Sequence, residues 1–306
     1  MPKLSTIPVI ALLVMLMITL FAGLGTTGCA SHESPAGART PAGPVVVLYA
    51  GSLVNLMESD LSPAFQNSSG YVFEGVPGGS AALANQIKGR LRRADVFVSA
   101  SPAVNQTLMG QDNGNWVQWY VTFAKAPLVI GYNPKSRFAH DLTTKPWYQV
   151  LAEPGFRLGR TDPKLDPKGA LTVQLVDKAS RYYHLADLAA RVLGAEDNPA
   201  QVFPEEDLVG RLQAGQLDAG FFYINEAKEQ HIPYVTLPEE ITPQAQYTVT
   251  IPRGEENPPG AIAFVEFLLG PQGRAILAAH GLTVLKPSLT GDAASVPSAL
   301  RALVGP

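Results

Sequence analysis

The sequence "VVVLYAGSLVN" (residues 45–55) decides the fold, because a buried strand meets a helix in it without a long connection. The apolar, β-branched run from Val45 to Ala50 predicts a buried strand. A helical pattern follows at once, with apolar residues at four-residue spacing: Leu53, Met57, Leu61 and Phe65. The small pair Gly51 and Ser52 is therefore expected where the strand ends and the helix begins.

The same order of elements recurs twice. "YVFEGV" (71–76) predicts a second strand, followed by the turn "PGG" and a helix capped by Ser80. "ADVFVSA" (94–100) predicts a third strand, and Ser101 with the next proline opens another helix. Three strand–turn–helix units predict a parallel α/β sheet. Ligands bind such sheets beyond the carboxyl ends of the strands, so Ser52, Ser80 and Ser101 are expected at one rim.

Later segments predict a second lobe. "FAKAPLVIGYN" (123–133) is a long apolar strand that can cross out of the first lobe, and "YTVTIPRG" (247–254) can return to it. We therefore expect two crossover strands with a cleft between the lobes. The predicted boundaries are 45–125 and 250–306 for lobe I and 126–249 for lobe II.

The first 44 residues are expected to direct the chain out of the cytoplasm. Lys3 precedes the uncharged apolar run Ile7–Gly25 and then small residues, which predicts a signal peptide over residues 1–28. The run is also long enough for an uncleaved membrane anchor, which is the alternative. Cys29 is the only cysteine, so it forms no intramolecular disulfide. Residues 29–44 are rich in Pro, Ala, Gly and Ser and predict a flexible tether.

The composition makes several function classes improbable. A net charge of −3 with 16% charged residues provides no broad basic surface, so nucleic acid is not expected as a partner. The five scattered histidines form no ligand pair at helical spacing. "AGSLV" lacks the second glycine of a nucleophile elbow, and neither a P-loop nor a GxGxxG motif is present. We expect binding without turnover, and no cofactor.

The three serine turns predict an anion site. Each lies at a helix amino terminus, where unpaired N–H groups and the helix dipole attract negative charge. Gly51 and the glycines of "PGGS" let the backbone approach a ligand closely. Neutral hydroxyl and amide donors suit a small oxyanion held away from water. The alternative for each serine is an ordinary helix cap.

The predicted second lobe adds three candidates. Asp166 lies in the turn "DPKLDPKG" before a helix, and Tyr223 and Glu226 lie at the end of the strand in "FFYINEA". The alternatives are a helix-start aspartate, a core tyrosine and a solvated glutamate.

Taken in order, "YAGSL", "PGGS", "ADVFVSAS", "WYVTFAKAPLVIGYNPKS", "WYQVLAEPGFRLGRTDPKLDPKG" and "LDAGFFYINEA" resemble the substrate-binding proteins of molybdate/tungstate ABC transporters, the archaeal-type binders in particular. The resemblance runs from about Val45 to Gly254. It implies a two-lobed periplasmic-binding-protein fold of type II that closes on an oxyanion. It further implies that Ser52, Ser80 and Tyr223 contact the oxyanion and that Asp166 reaches its metal.

The resemblance also assigns partners and a location. Gly28 and Cys29 resemble a lipobox, which implies lipid attachment at Cys29 and an exported, membrane-anchored monomer, periplasmic or on the cell surface. Delivery of molybdate or tungstate then requires an ABC permease and its ATPase. A carboxylate suits a hard, oxygen-loving metal centre, whereas it would repel sulfate.

The sequence departs from the archaeal-type pattern at three places. Gly169-Ala170-Leu171 stands where those proteins have "GYR", and Ser101 stands where an aspartate is common. Their second carboxylate lies near the tyrosine, and Glu226 is the nearby candidate here. Alternative ligands are a sulfate-like anion or ferric iron, and the alternative classes are an enzyme or a sensor domain on the same fold.

Overall fold

The computed structural model describes residues 42–195 and 197–304. The predicted signal peptide, Cys29 and most of the predicted tether lie outside these residues. The strands are β1 Pro44–Ala50, β2 Val72–Gly78, β3 Val96–Ser99, β4 Trp119–Tyr132, β5 Leu158–Gly159, β6 Ala219–Tyr223, β7 Tyr234–Val235, β8 Gln244–Thr250 and β9 Thr283–Gly291. The helices are α1 Val54–Leu56, α2 Ser62–Ser69, α3 Ser80–Lys88, α4 Pro102–Gln106, α5 Ala139–Thr144, α6 Trp147–Val150, α7 Pro167–Tyr182, α8 Leu188–Val192, α9 Glu205–Gln213, α10 Ile224–Glu229, α11 Pro258–Leu269, α12 Pro271–Ala279 and α13 Arg301–Val304.

The strands follow the order β2-β1-β3-β8-β4-β6-β5. Strand β1 pairs in parallel with β2 and β3, which confirms the parallel arrangement expected from the three strand–turn–helix units. Strand β8 then adds in the antiparallel direction beside β3. We call β1, β2, β3, β8, β9 and the paired part of β4 the first sheet, and the remainder of β4 with β5, β6 and β7 the second sheet.

Strand β4 connects the two sheets. Its residues from Trp119 to Pro127 pair with β8 and β9, and those from Leu128 to Tyr132 pair with β6 and β7. A change of register between Thr122 and Ala124 bends the strand within the first sheet. The long apolar run of residues 123–133 is therefore a crossover strand, and the architecture is the two-lobed α/β fold expected from the sequence.

The core explains why β1 directs the fold. All of Val45–Ala50 is buried, as the apolar run predicts, and Leu53, Met57, Leu61 and Phe65 behind it are fully buried. Phe65 packs edge-on against Phe264 of α11, with ring centroids 5.2 Å apart. The helix after β1 contains a π-turn at Met57–Leu61 and continues through Ser62.

In the ranges 42–195 and 197–304, no single helix has the length and apolar composition to span a membrane; one bent pair, α11 with α12 at 58°, meets these criteria by length and composition only.

Candidate functional site

The turn after β1 is joined to residues from far along the chain. Ser52 is 4% exposed, and its Oγ lies 3.0 Å from the hydroxyl of Tyr247 in β8. Its carbonyl oxygen accepts a hydrogen bond of 3.1 Å from Asn225 Nδ2 in α10. The side chain does not cap the turn that it begins, because Ala50 occupies the N-cap position without a side-chain bond. Ser52 therefore connects the first sheet with the element that follows β6.

The other two serines differ in their roles. Gly79, not Ser80, is the N-cap of α3, so the expectation that Ser80 caps this helix is wrong. Ser80 is fully buried, and its Oγ accepts a 3.1 Å hydrogen bond from Ala100 N at the end of the third strand unit. Ser101 is the N-cap of α4, but its side chain makes no cap bond. Within the described ranges, Ser101 has no side-chain hydrogen bond to the other candidates.

Asp166 lies at the start of α7 and is buried. Its Oδ1 accepts hydrogen bonds of 2.8 Å from Thr161 Oγ1 and 2.8 Å from Lys168 N. Asp166 is thus the N-cap of α7, which is the role that the alternative reading as a helix-start aspartate gives it. Burial raises the pKa of the carboxyl, whereas the charge of Lys168 acts in the opposite direction.

The turn between β2 and α3 lies directly against the turn before α7. A Cβ added to Gly79 would lie 2.6 Å from the carbonyl oxygen of Leu165 and 3.2 Å from Asp166 Cβ. Ala82 N donates a 3.0 Å hydrogen bond to the same carbonyl. Only glycine permits this approach. The "PGGS" and "DPKG" turns are therefore brought together, as a site that uses both would require.

Tyr223 ends β6 with its side chain 1% exposed. Its hydroxyl is buried and has no hydrogen-bond partner within the residues that the structure describes. The ring lies 6.2 Å from that of Tyr247, which holds Ser52. Burial raises the pKa of Tyr223 well above its ordinary value, so the hydroxyl keeps its proton and can donate. An unpaired buried hydroxyl is costly, and a ligand oxygen would satisfy it.

A cluster of three charged side chains lies beside these residues. Lys168 Nζ donates 2.9 Å hydrogen bonds to Glu205 Oε1 and to both carboxylate oxygens of Glu226. We call Lys168, Glu205 and Glu226 the charged cluster; all three are at least nine-tenths buried. Glu226 Oε2 also accepts a 3.2 Å hydrogen bond from Tyr223 N. Glu226 is therefore not a solvated glutamate.

The charged cluster has shifted protonation equilibria. Burial raises the pKa of Glu205 to about 7 and that of Glu226 to about 7, although Lys168 opposes both shifts. Burial lowers the pKa of Lys168, but the charges of Glu205, Glu226 and Asp166 outweigh it and raise the pKa above the ordinary value. Lys168 thus stays charged and neutralises part of the negative charge around Asp166.

Sequence reasoning did not identify Lys168, Glu205, Asn225 or Tyr247 as site residues. Lys168 was inside the quoted turn, but nothing local indicates that its charge is buried. Glu205 packs against Gly51: a Cβ at Gly51 would overlap Glu205 Cγ and lie 3.4 Å from its Cδ. The close approach predicted at Gly51 is therefore made, in this structure, by a glutamate side chain.

A cavity of about 350 Å³ lies beside Gly79, Asp166 and Glu205. A larger cavity of about 740 Å³ is lined by other residues, among them Arg137, Arg157 and Asp218. In the part of the chain that the structure describes, no group of three or more His, Cys, Asp or Glu side chains is placed to hold a metal ion.

Comparison with known proteins agrees with this architecture. The periplasmic molybdate-binding protein of Azotobacter vinelandii superposes with a TM-score of 0.61 at 20% identity, over 79% of this chain and 99% of that one. An uncharacterised solute-binding protein of Petrotoga mobilis is 31% identical over 80% of this chain and 85% of its own length.

Two further relatives have names that state a ligand. A putative ABC transporter molybdenum-binding protein of Haloferax volcanii is 32% identical over 72% of this chain and 68% of its own length. The molybdate/tungstate-binding protein of Thermococcus kodakarensis is 25% identical over 95% of this chain and 96% of its own length. The family described as bacterial extracellular solute-binding protein matches residues 45–283, and this chain belongs to that family.

Proposed function

We propose that this chain binds molybdate or tungstate outside the cytoplasm and delivers the oxyanion to an ABC importer. The observation that carries the proposal is the buried hydroxyl of Tyr223, which has no hydrogen-bond partner among the described residues and lies beside Tyr247, whose hydroxyl is hydrogen-bonded to Ser52. The names of the relatives from Haloferax and Thermococcus support the choice of ligand.

The donors around this position suit an oxyanion. Tyr223 and Ser52 offer hydroxyl groups, and the amino ends of α3 and α7 meet where Gly79 touches Asp166. Helix amino ends attract anions, and hydrogen bonds in a dry site gain strength from the low dielectric. Ser52, Ser80, Tyr223 and the Gly51 turn are proposed as oxyanion contacts, and Asp166 as the carboxylate that reaches the metal of the ligand. Ser101 and Glu226 are the weaker candidates, since Ser101 is not joined to the others and both oxygens of Glu226 are engaged.

The remaining parts of the proposal concern location and partners. Residues 1–28 serve as the signal peptide and Cys29 as the lipid attachment site of a membrane-anchored monomer. Lobe I comprises 45–125 and 250–306 and lobe II comprises 126–249, with the oxyanion enclosed between them. The protein carries out no chemical step; an ABC permease with its ATPase receives the oxyanion.

Isothermal titration calorimetry with molybdate, tungstate, sulfate, phosphate and ferric iron tests the proposal. Binding of molybdate or tungstate, with sulfate and phosphate much weaker, is the expected result. Saturable binding of sulfate alone would indicate a sulfate carrier, and binding of ferric iron alone would indicate an iron carrier. Either result would overturn the proposal.

A further inference from the structure

Four arginines lie together at one edge of the first sheet. Arg90, Arg92 and Arg93 follow α3 in the sequence "KGRLRRAD" (88–95), and Arg253 follows β8. The four side chains line one cavity of about 390 Å³. We call these four residues the arginine patch. The patch concentrates positive charge on a chain whose net charge is −3.

Three members of the arginine patch have no acidic partner within the described residues. Arg93 forms ion pairs with Asp95 at 2.8 Å and with Glu256 at 3.1 Å. The other three members are exposed, and none of them forms an ion pair with a residue that the structure describes. Like charges held close together repel one another, so an anionic partner from outside the chain would stabilise them.

Apolar side chains accompany this positive charge. Leu91, between Arg90 and Arg92, is 75% exposed. Trp116 is half-buried in the same cavity, and the guanidinium carbon of Arg90 lies 5.4 Å from the centroid of its ring. Arginine binds the phosphate of a lipid headgroup, while leucine and tryptophan enter the boundary between headgroups and acyl chains. A small anion in solution would make no use of the exposed leucine.

The arginine patch lies where the chain enters the first sheet. Arg93 Nη2 donates a 3.4 Å hydrogen bond to the carbonyl oxygen of Pro44, the first residue of β1. Strand β1 runs from there to Ala50 over a distance of about 20 Å. The arginine patch and the turn of Ser52 therefore lie at opposite edges of the first sheet.

The proposed anchor is close to the arginine patch along the chain. Residues 30–41 separate Cys29, the proposed lipid attachment site, from Ala42, the first residue that the structure describes. A segment of this length spans at most about 45 Å when it is fully extended. A lipid at Cys29 would therefore keep the arginine patch within reach of the membrane surface.

We propose that the arginine patch docks the protein onto anionic lipid headgroups of the membrane that holds its anchor. The inference rests on the proposed lipid attachment at Cys29. The three arginines without an ion-pair partner bind headgroup phosphates, and Leu91 enters the lipid layer between them. Docking by this edge turns Ser52 and Ser80 away from the lipid, so the oxyanion site faces the solution during capture. Delivery to the permease then requires release from the lipid surface.

Quenching of tryptophan fluorescence measures the docking. The purified, membrane-anchored full chain is reconstituted in vesicles of phosphatidylcholine alone or of an equal mixture with phosphatidylglycerol, with a nitroxide on some headgroups. Trp119 is 3% exposed and Trp147 is 5% exposed, so the headgroup nitroxide reports mainly on Trp116. We expect quenching in the anionic vesicles and little in phosphatidylcholine. Molar salt should abolish it, because the screening length falls to about 3 Å.

A triple variant removes the charges that carry the proposal: Arg90→Gln, Arg92→Gln and Arg253→Gln. Each arginine near an anionic surface strengthens binding about fivefold, so the ratio of docked to undocked protein should fall about 100-fold. A matched control removes three exposed charges of lobe II and should dock as the wild type does: Lys135→Gln, Arg137→Gln and Arg181→Gln. Molybdate affinity should be unchanged in both variants, because none of these residues belongs to the proposed oxyanion site.

Several results would overturn the inference. They are no quenching in anionic vesicles, equal quenching in both kinds of vesicle, and wild-type quenching in the triple variant. An equal loss in the control variant would indicate an effect of net charge and not of the arginine patch. Loss of molybdate uptake in cells with vesicle docking unchanged would assign the patch to the importer, which is the other possible occupant.

Two separate measurements distinguish this inference from the proposals on which it depends. Titration of the wild type with molybdate tests the proposed function and does not involve the vesicles. Mass spectrometry of the native amino terminus tests the lipid at Cys29. If Cys29 carries no lipid, the proposed anchor fails, and co-sedimentation of the same chain with the anionic vesicles decides whether the arginine patch binds lipid: binding supports the patch, and its absence overturns it.

Discussion

Replacing Gly79 with alanine should weaken ligand binding, because it adds one methyl group where two turns meet. The new Cβ would lie 2.6 Å from the carbonyl oxygen of Leu165, closer than carbon and oxygen atoms normally approach. The obstacle is backbone, which cannot move aside as the end of a flexible side chain can. Gly79 has φ −59° and ψ 127°, which alanine adopts readily, so the effect comes from the contact and not from backbone strain.

The size of the effect follows from the cost of overpacking. Inserting a methyl group into a tight contact costs about 1–3 kcal/mol. If the "PGGS" and "DPKG" turns must meet to enclose the oxyanion, this cost makes the free energy of binding less favourable by the same amount. The dissociation constant should then rise by about 5- to 150-fold.

Calorimetric titration with molybdate measures the change directly. Gly78→Ala is the matched control, because a Cβ there would meet Leu83 Cδ2 at 3.3 Å, a side chain of the adjacent helix that can shift. The control should bind within about threefold of the wild type, a difference well below 1 kcal/mol. Equal affinities for Gly79→Ala and wild type would refute the reasoning that this contact closes the site.

Three further substitutions separate binding from stability. Tyr223→Phe should weaken oxyanion binding by about tenfold or more, since a hydrogen bond to a charged group contributes about 1.5–3 kcal/mol. The thermal unfolding temperature of the ligand-free protein should not fall, because the hydroxyl has no hydrogen-bond partner to lose within the part of the chain that the structure describes. Lys168→Met should destabilise the fold by about 3–5 kcal/mol at pH 8 by leaving two buried carboxylates without their cation. Urea unfolding should show a smaller loss at pH 5, where glutamates with a pKa raised to about 7 are protonated. Burial also raises the pKa of Glu229 to about 7, so the Glu229 carboxyl binds its proton more tightly in the folded state than in the unfolded chain. The contribution of this group to the free energy of unfolding is therefore lost as the pH rises towards 7. Glu229→Gln should therefore lose less stability than wild type between pH 5 and pH 8.

The parts of the fold that could be predicted from the sequence depend on short-range patterns. The strand Val45–Ala50 was predictable because its apolar run ends at the small residues Gly51 and Ser52. The parallel pairing of β1 with β2 and β3 followed because strand, turn and helix recur in order. The helical pattern of residues 171–193 predicts one long helix, but α7 ends at Tyr182, and His184, with φ 58°, separates it from α8. Helical periodicity does not indicate a single residue in a left-handed conformation.

The partners of the site residues could not be predicted, because they lie far apart in the chain. Ser52 and Tyr247 are separated by 195 positions, and Lys168 lies 37 positions from Glu205 and 58 from Glu226. A lysine in a Pro- and Gly-rich turn is expected in solvent, and only the positions of the two glutamates explain its burial. The charged cluster is a product of the tertiary fold, and no local spacing indicates it.

A crystal of the protein soaked in tungstate gives the most direct test of the central claim, because the anomalous scattering of tungsten marks the metal. We predict one strong anomalous peak between the turns of Ser52 and Ser80 on one side and Asp166 and Tyr223 on the other. A peak elsewhere, or no peak at a saturating concentration of tungstate, would contradict the account.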